Sequence, residues 1–263
     1  MKPNYKNWVP KGMVIGYLSG TIICLIAAVV FGVLGFTRSM TWAIALFALF
    51  GFATFVLAVI SAFMLNWHNA FSYDGKRQLS RMIIEGVAEY VRVPEGGKCL
   101  DVGCGSGALT IAVAKRNGKA SVVGIDRWGK EYASFSQKLC EDNARAEGVK
   151  NVSFCQGNAL QLPFEDESFD AVTSNYVYHN IPSKDRQAIL LETLRLVKKG
   201  GTFAIHDIFT ENKYGDMLSF VERLKSMGYE KVELIDTTKN IFMTEKESKR
   251  LFLTGSAILY GKK

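Results

Sequence analysis

The stretch KCLDVGCGSG, residues 98–107, constrains the fold more than any other part of the chain. Its apolar start, residues 99–102, has the length of a strand, and glycines then occupy alternate positions at Gly103, Gly105 and Gly107. Glycine adopts backbone conformations that a Cβ excludes, and it lets a ligand lie against the backbone. An amphipathic helical run follows. A strand, a glycine turn and a helix in this order predict an open α/β sheet that presents backbone N–H groups to a cofactor.

The glycines alone leave two cofactor classes open, because Gly103-x-Gly105-x-x-Ala108 also satisfies the looser dinucleotide fingerprint. Asp101, two residues before the first glycine, favours a cationic ligand over a pyrophosphate. The acid-x-Gly-x-Gly-x-Gly pattern resembles the class I S-adenosylmethionine (SAM)-dependent methyltransferases. That resemblance implies SAM as the cofactor and methyl transfer as the reaction, in preference to a nicotinamide enzyme.

The resemblance also implies a set of cofactor contacts. Asp101 would lie near the cationic half of SAM, and Asp126, at the end of the next strand, would accept the ribose hydroxyls; a helix N-cap is the alternative role for Asp126. Trp128 would stack on the adenine. Asn158 stands where the family usually carries an acid, and its amide oxygen can still accept the adenine amino group. The full set of expected cofactor residues is Asp101, Gly103, Cys104, Gly105, Gly107, Asp126, Arg127, Trp128, Asn158, Ala159 and Asn175.

Candidate catalytic residues follow the fourth and fifth predicted strands. His179 and His206 are two of only three histidines in the chain, and both fall at carboxyl ends of strands, where open sheets bind ligands. Either imidazole could accept a proton from a hydroxyl, thiol or phenol, with Asp207 orienting His206. The alternative for each is a hydrogen-bonded packing role. Tyr176 and Tyr178 are candidate pocket walls, and Tyr178 is the third candidate catalytic residue.

Composition and motifs exclude several other functions. The first 65 residues hold four of the 32 bases and no acid, so the rest of the chain has a formal charge of only +3 and no nucleic-acid footprint. The sequence after the fourth strand is not the Asn-Pro-Pro-Tyr of nucleic-acid amino methyltransferases. The five cysteines form no CxxC or Cys/His cluster, which predicts reduced thiols and no metal site.

Two long uncharged runs precede the glycine stretch, at residues 13–36 and 41–65. As helices each would be about 36 Å long, enough to cross a hydrocarbon core of ~30 Å. A signal peptide or buried core helices are the alternatives, but the first run is too long for a signal and both are apolar on every face. We therefore expect a transmembrane hairpin that acts as an anchor. Small residues such as Gly16 and Gly20 could pack its helices or support a homodimer.

Basic residues flank the hairpin on its outer ends, and only Arg38 lies between the runs. The positive-inside bias therefore predicts that both termini and the catalytic domain are cytoplasmic, where SAM is made. Tyr5, Trp8 and Trp67 are expected to be interfacial anchors.

The expected domains are the hairpin (1–66), a juxtamembrane helix or linker (67–97) and the methyltransferase domain (98–263). Alternating strands and helices, including a helix at 130–146 and a fifth strand at 201–206, match a Rossmann-like, seven-stranded, mainly parallel sheet of order 3-2-1-4-5-7-6. We expect a membrane-anchored enzyme that methylates a small hydrophobic, lipid-like or quinone-like acceptor. The alternatives are a tethered methyltransferase for a soluble small molecule and a non-catalytic membrane SAM sensor or scaffold.

Overall fold

The computed structural model describes residues 2–129 and 134–263. These residues form two compact units, one made of residues 6–80 and the other of residues 2–5 together with 81–263. The first few residues thus belong to the same unit as the predicted catalytic domain, although the apolar segments separate the two in sequence.

The unit of residues 6–80 is built on two long helices, α1 (Lys11–Arg38) and α2 (Thr41–Phe71). Ser39 reverses the chain between them in a left-handed conformation. Helix α1 extends beyond its predicted span at both ends, and α2 extends beyond its predicted span at the C-terminal end. Both helices are long and apolar enough to cross a membrane. A Cβ on Gly35 would lie 2.7 Å from the Ile44 side chain, so this glycine allows the helices to approach closely.

Large apolar side chains of this helix pair are exposed around the helices rather than confined to one buried stripe. Ile23, Phe36 and Phe52 are each 65–69% exposed. Such surfaces are unfavourable in water and suit a bilayer or a partner surface.

The other unit contains a seven-stranded sheet of order β3-β2-β1-β4-β5-β7-β6, which confirms the predicted fold. Neighbours from β3 through β5 are parallel, and β7 pairs antiparallel with both β5 and β6. The strands are β1 (Lys98–Val102), β2 (Ser121–Asp126), β3 (Val152–Gln156), β4 (Phe169–Asn175), β5 (Val197–Ile208), β6 (Lys231–Asp236) and β7 (Ser256–Lys262).

Helices connect the strands, and polar side chains cap several of them. The carboxylates of Asp185 and Asp216 accept backbone N–H groups at the starts of the helices that follow them in sequence. The Thr244 hydroxyl accepts the Glu247 N–H at the start of the next helix, as the Thr-x-x-Glu pattern predicts. The helices are α3 (Leu79–Glu89), α4 (Ala108–Arg116), α5 (Gln137–Ala146), α6 (Arg186–Leu194), α7 (Glu211–Tyr214), α8 (Met217–Ser226) and α9 (Glu245–Arg250).

Two element boundaries differ from those predicted. The helix expected at 130–146 begins at Gln137, where the Ser136 hydroxyl caps it by accepting the Leu139 N–H at 3.1 Å; residues 130–133 lie outside the described residues. The fifth strand extends over residues 197–208, beyond the predicted 201–206, because β4 pairs with it at Val197 and β7 pairs with it as far as Ile208. Antiparallel pairing to a distant segment is a tertiary effect that local sequence does not reveal.

Gly261, in β7, tests how tightly the sheet is packed. A Cβ there would lie 2.3 Å from the Lys231 carbonyl oxygen and 2.4 Å from the Phe203 ring. We expect Gly261→Ala to lower the free energy of unfolding by about 1–3 kcal/mol, because neither backbone nor buried ring can yield freely. Gly118→Ala is the matched control, since nothing lies within 4 Å of its added Cβ. Denaturant unfolding of both variants measures the difference, and equal stability would contradict this packing.

Candidate active site

The candidate site lies where the strand order reverses. Strand β1 pairs in parallel with β2 on one side and β4 on the other, so the loops that follow these strands meet at one edge of the sheet. Ligands of open α/β sheets bind in the crevice at this switch point. The glycine loop after β1 therefore stands where the sequence pattern requires it.

Two positions of this loop are glycine for different physical reasons. Gly103 has φ +73°, and a Cβ there would lie 2.3 Å from the Val177 side chain, so the loop after β4 leaves no room for one. Gly105 has φ +57°, and among the described residues a Cβ there would meet the Phe135 ring at 3.9 Å, an ordinary van der Waals contact. Gly105 is therefore required for its left-handed backbone conformation rather than for lack of room.

The segment after β2 forms hydrogen bonds with both the backbone N–H and the carbonyl oxygen of Gly105. The Asp126 carboxylate accepts the Gly105 N–H at 2.8 Å, and the Trp128 indole N–H donates to the Gly105 carbonyl at 2.9 Å. The other Asp126 oxygen accepts the Trp128 backbone N–H at 2.8 Å. Trp128 adopts φ +44°, an unusual conformation for a bulky side chain, which these bonds maintain. The ring expected to stack on adenine therefore also braces the loop.

Asp101 is enclosed and does not face open space. It is 1% exposed, and its carboxylate accepts the Thr110 hydroxyl of α4 at 2.6 Å and the Thr173 hydroxyl of β4 at 3.1 Å. Burial raises its pKa to about 7, and the two hydroxyl bonds act in the opposite direction. The sequence predicts this carboxylate beside the cationic half of the cofactor. Its enclosure makes it a positioning group that joins β1, α4 and β4 under the loop.

The remaining predicted cofactor residues are distributed around the same edge. Asn158 is exposed after β3, and its side-chain oxygen accepts the Leu160 N–H at 3.0 Å, while Ala159 beside it is half-buried. Arg127 is exposed, and its carbonyl accepts from the Gln156 side chain. The other members are Cys104 and Gly107, both buried within the loop, and Asn175, half-buried at the end of β4.

His206 has a structural environment. It is fully buried, with Nδ1 2.8 Å from the Asn175 side-chain oxygen and Nε2 3.0 Å from the Thr237 hydroxyl. Burial lowers its pKa to about 3, so the ring is neutral at physiological pH. Both nitrogens are engaged, so the expected role of His206 as a base oriented by Asp207 is wrong. Successive strand residues point to opposite faces, which separates these two side chains.

Asp207 instead orients His179. Its Oδ1 lies 2.5 Å from His179 Nδ1 and accepts the Ile208 N–H at 2.7 Å, while Oδ2 accepts the Tyr178 N–H at 2.8 Å. Burial alone would raise the Asp207 pKa, but the bond and charge of His179 outweigh it and the pKa falls below its ordinary value. An ionised carboxylate on Nδ1 favours the tautomer whose Nε2 carries a lone pair. Among the described residues, Nε2 has no hydrogen-bond partner.

Two tyrosines beside this pair have roles that the sequence does not reveal. Tyr178, a predicted catalytic residue, is fully buried and its hydroxyl lies 2.8 Å from that of Thr193, so it is a core residue. Tyr176, predicted only as a pocket wall, has its ring centroid 4.6 Å from His206 and 5.9 Å from His179. Its φ of +55° turns the chain after β4, and only that turn, invisible in the sequence, places it there.

Comparison with known protein families identifies the domain type. The methyltransferase-domain family profile (Methyltransf_31) matches residues 94–251. A demethylmenaquinone methyltransferase of Geobacillus stearothermophilus is 38% identical over 115 residues, which cover 44% of this chain and 47% of the relative. The corresponding protein of Bacillus velezensis is 30% identical over 175 residues, 62% of this chain and 72% of the relative. The chain thus spans about half the length of the first of these relatives.

Solved structures support the fold alone, since their identities to this chain are low. A SAM-dependent methyltransferase from Aquifex aeolicus has 20% identity and a TM-score of 0.50, covering 72% of this chain and 93% of its own. The [4+2]-cyclase SpnF has 20% identity and a TM-score of 0.55, covering 73% and 85%.

The buried Asp101 carboxylate predicts a pH dependence of stability. Its folded pKa is raised to about 7 from 3.8, so between these values the folded state holds a proton that the unfolded state has released. The resulting stability is fully present below pH 3.8 and is lost as pH rises through 7. Asp101→Asn lacks this titration. We expect its unfolding free energy, relative to the wild type, to rise between pH 4 and pH 8 by up to about 4 kcal/mol.

Urea unfolding of both proteins at pH 5, 7 and 8.5 measures this difference, and Asp170→Asn is the control because the Asp170 pKa is shifted downward. A difference between Asp101→Asn and the wild type that stays constant across pH would contradict the assignment.

Proposed function

Because the chain belongs to the methyltransferase-domain family, we propose that it transfers a methyl group from SAM to a small quinone-type acceptor. The observation that carries the proposal is the glycine loop at the switch point, where Gly105 has φ +57° and both of its backbone groups are bonded to the segment after β2. A braced glycine turn at the switch point lets a cofactor lie against the chain.

The residues around Gly105 fit the parts of SAM. The Asp126 oxygens retain lone pairs for ribose hydroxyls, and the exposed Asn158 amide can receive the adenine. When bound, SAM supplies a methyl group already activated by the sulfonium. The chain's own residues then need only bind the partners, orient them and accept a proton.

The acceptor class follows from the relatives and from the site. The relatives of G. stearothermophilus and B. velezensis carry the name demethylmenaquinone methyltransferase, which supports a quinone-type ring. A reduced ring of this kind bears a hydroxyl, and His179 Nε2 is suited to accept its proton, while Nδ1 keeps its own proton and donates it to Asp207. The deprotonated ring would take the methyl group that SAM supplies when it is held by Asp126 and Asn158, and the hydroxyl proton would stay on His179. Tyr176 beside His179 provides an aromatic surface for such a ring.

We further propose that the helix pair anchors the chain in a membrane with the catalytic unit in the cytoplasm. Residues 2–5 and 81–263 belong to one unit, and two helices separate them, which supports a hairpin whose two ends lie on one side of a bilayer. The bases outside the two helices favour the cytoplasmic side. An acceptor that partitions into the bilayer would then be concentrated near the enzyme. The domain assignments (hairpin 1–66, linker 67–97, catalytic domain 98–263) stand as part of this proposal.

Two other functions remain open to test. A tethered methyltransferase for a soluble molecule has the same cofactor loop. The second alternative is a protein that binds SAM without transferring a methyl group. The [4+2]-cyclase SpnF has a similar fold.

The His179–Asp207 pair predicts the rate effect of two substitutions. We expect His179→Gln and Asp207→Asn each to lower kcat at least about 100-fold with smaller changes in SAM affinity, because proton transfer contributes about 10²–10⁴. Label transfer from methyl-labelled SAM to a reduced demethylated menaquinone analogue measures kcat in full-length protein. Lys184→Gln, exposed on the same loop, is the control. Wild-type rates in both variants would sink the base assignment, and transfer only to soluble phenols or thiols would favour the tethered alternative.

Membrane topology can be tested by cysteine labelling. We expect Ser39→Cys, between the two helices, and Ser183→Cys, in the catalytic unit, to react with a membrane-impermeant maleimide from opposite sides of sealed vesicles. The wild-type chain gives the background of its own five cysteines. Labelling of both positions from the same side would contradict the anchored topology.

A further inference from the structure

The first residues of the chain dock on the catalytic unit. Residues 2–5, here called the N-terminal strap, precede α1 in sequence yet belong to the compact unit of residues 81–263. Tyr5 is 6% exposed, although the sequence predicts an interfacial aromatic at this position. That prediction is corrected here, because the Tyr5 ring is enclosed by protein.

One buried amide holds the strap. Asn143 of α5 is 2% exposed; its Oδ1 accepts the Asn4 N–H at 2.6 Å, and its Nδ2 donates to the Asn4 carbonyl at 3.1 Å. The Asn143 side chain therefore binds both backbone groups of a single residue, as a neighbouring strand would. A buried amide satisfied in this way fixes its partner with directional bonds rather than by apolar contact alone.

The same amide reaches the cofactor loop. Asn143 Nδ2 also donates to the Ser106 carbonyl at 2.9 Å, and Cys140, one helical turn earlier, donates from Sγ to the Gly105 carbonyl at 3.2 Å. Helix α5 thus braces two successive loop residues. Asn143 joins the strap to the loop through one planar group, so the orientation that suits Ser106 is also the one that binds Asn4.

A second contact fixes the end of this helix. The Tyr5 hydroxyl donates to Glu147 Oε1 at 3.0 Å, and Glu147 Oε2 lies 2.5 Å from Lys115 Nζ. Burial opposes ionisation of Glu147, but the Lys115 and Tyr5 bonds outweigh it and its pKa falls below the ordinary value. The strap therefore grips α5 at two positions four residues apart, which lie on one face of the helix.

We propose that the N-terminal strap is a positioning element of the cofactor site, which acts on the glycine loop through Asn143. Release of the strap leaves the Asn143 amide with only the Ser106 carbonyl to orient it, and the loop that carries Gly105 becomes less ordered. Cofactor affinity then falls because binding must also order the loop. The inference rests on the proposed function only for the identity of SAM as the ligand.

The test uses full-length protein in detergent micelles and the variant Tyr5→Ala, which removes the buried ring while leaving the catalytic unit's own core intact. We expect amide exchange at residues 103–107 to accelerate, and SAM Kd to rise at least about fivefold, as expected for coupled sites. Lys2→Ala, exposed in the same strap, is the matched control. Tyr5→Phe retains the ring and should recover most of the affinity. Asn143→Ala removes both links and should exceed Tyr5→Ala in both readouts.

A purely structural role predicts a different pattern, in which Tyr5→Ala lowers the melting temperature and accelerates exchange across the whole unit. Loop exchange and SAM Kd equal to those of Lys2→Ala would overturn the inference. If loop exchange accelerates but wild-type protein binds no SAM, the positioning role stands and the proposed function fails.

Discussion

The buried Asp101 carboxylate is the constraint on which the site depends. It accepts hydroxyl groups from Thr110 on α4 and Thr173 on β4 while lying on β1, so one side chain ties together the strand, the helix and the neighbouring strand that frame the loop. A carboxylate removed from water is costly, and this one is retained at the switch point of the sheet. Its two hydroxyl bonds fix the elements on either side of the glycine loop, where catalysis by orientation requires rigidity.

Two further sets of hydrogen bonds hold the glycine loop. Asp126 and Trp128 hold the Gly105 peptide from β2, and Asn143 holds Ser106 from α5. Asp207 fixes the His179 ring, and no described residue bonds to His179 Nε2. The glycine loop is therefore held from several directions. A braced loop together with an oriented imidazole is suited to methyl transfer coupled to proton removal.

The sequence predicted the parts of this arrangement that local patterns encode. The strands and helices, the glycine loop and the two apolar helices follow from periodicity, glycine spacing and uncharged length, each readable within about 25 residues. The strand order is expected from the family resemblance that the glycine motif carries. The pairing of His179 with Asp207 is not local, because it depends on the left-handed turn at Tyr176 and on the register of β5. Docking of Tyr5 on Glu147 joins residues 142 positions apart, and no periodicity signals it.

The most direct test of the central claim is calorimetric titration of the full-length protein with SAM and, separately, with a nicotinamide dinucleotide. The account predicts micromolar SAM affinity and no dinucleotide binding. It also predicts that Gly105→Val abolishes SAM binding, because a β-branched side chain at φ +57° strains the turn and covers the backbone against which SAM would lie, while Gly118→Ala binds as the wild type does. Undiminished SAM binding by a folded Gly105→Val variant, or binding of the dinucleotide alone, would contradict the claim that this loop is a SAM site.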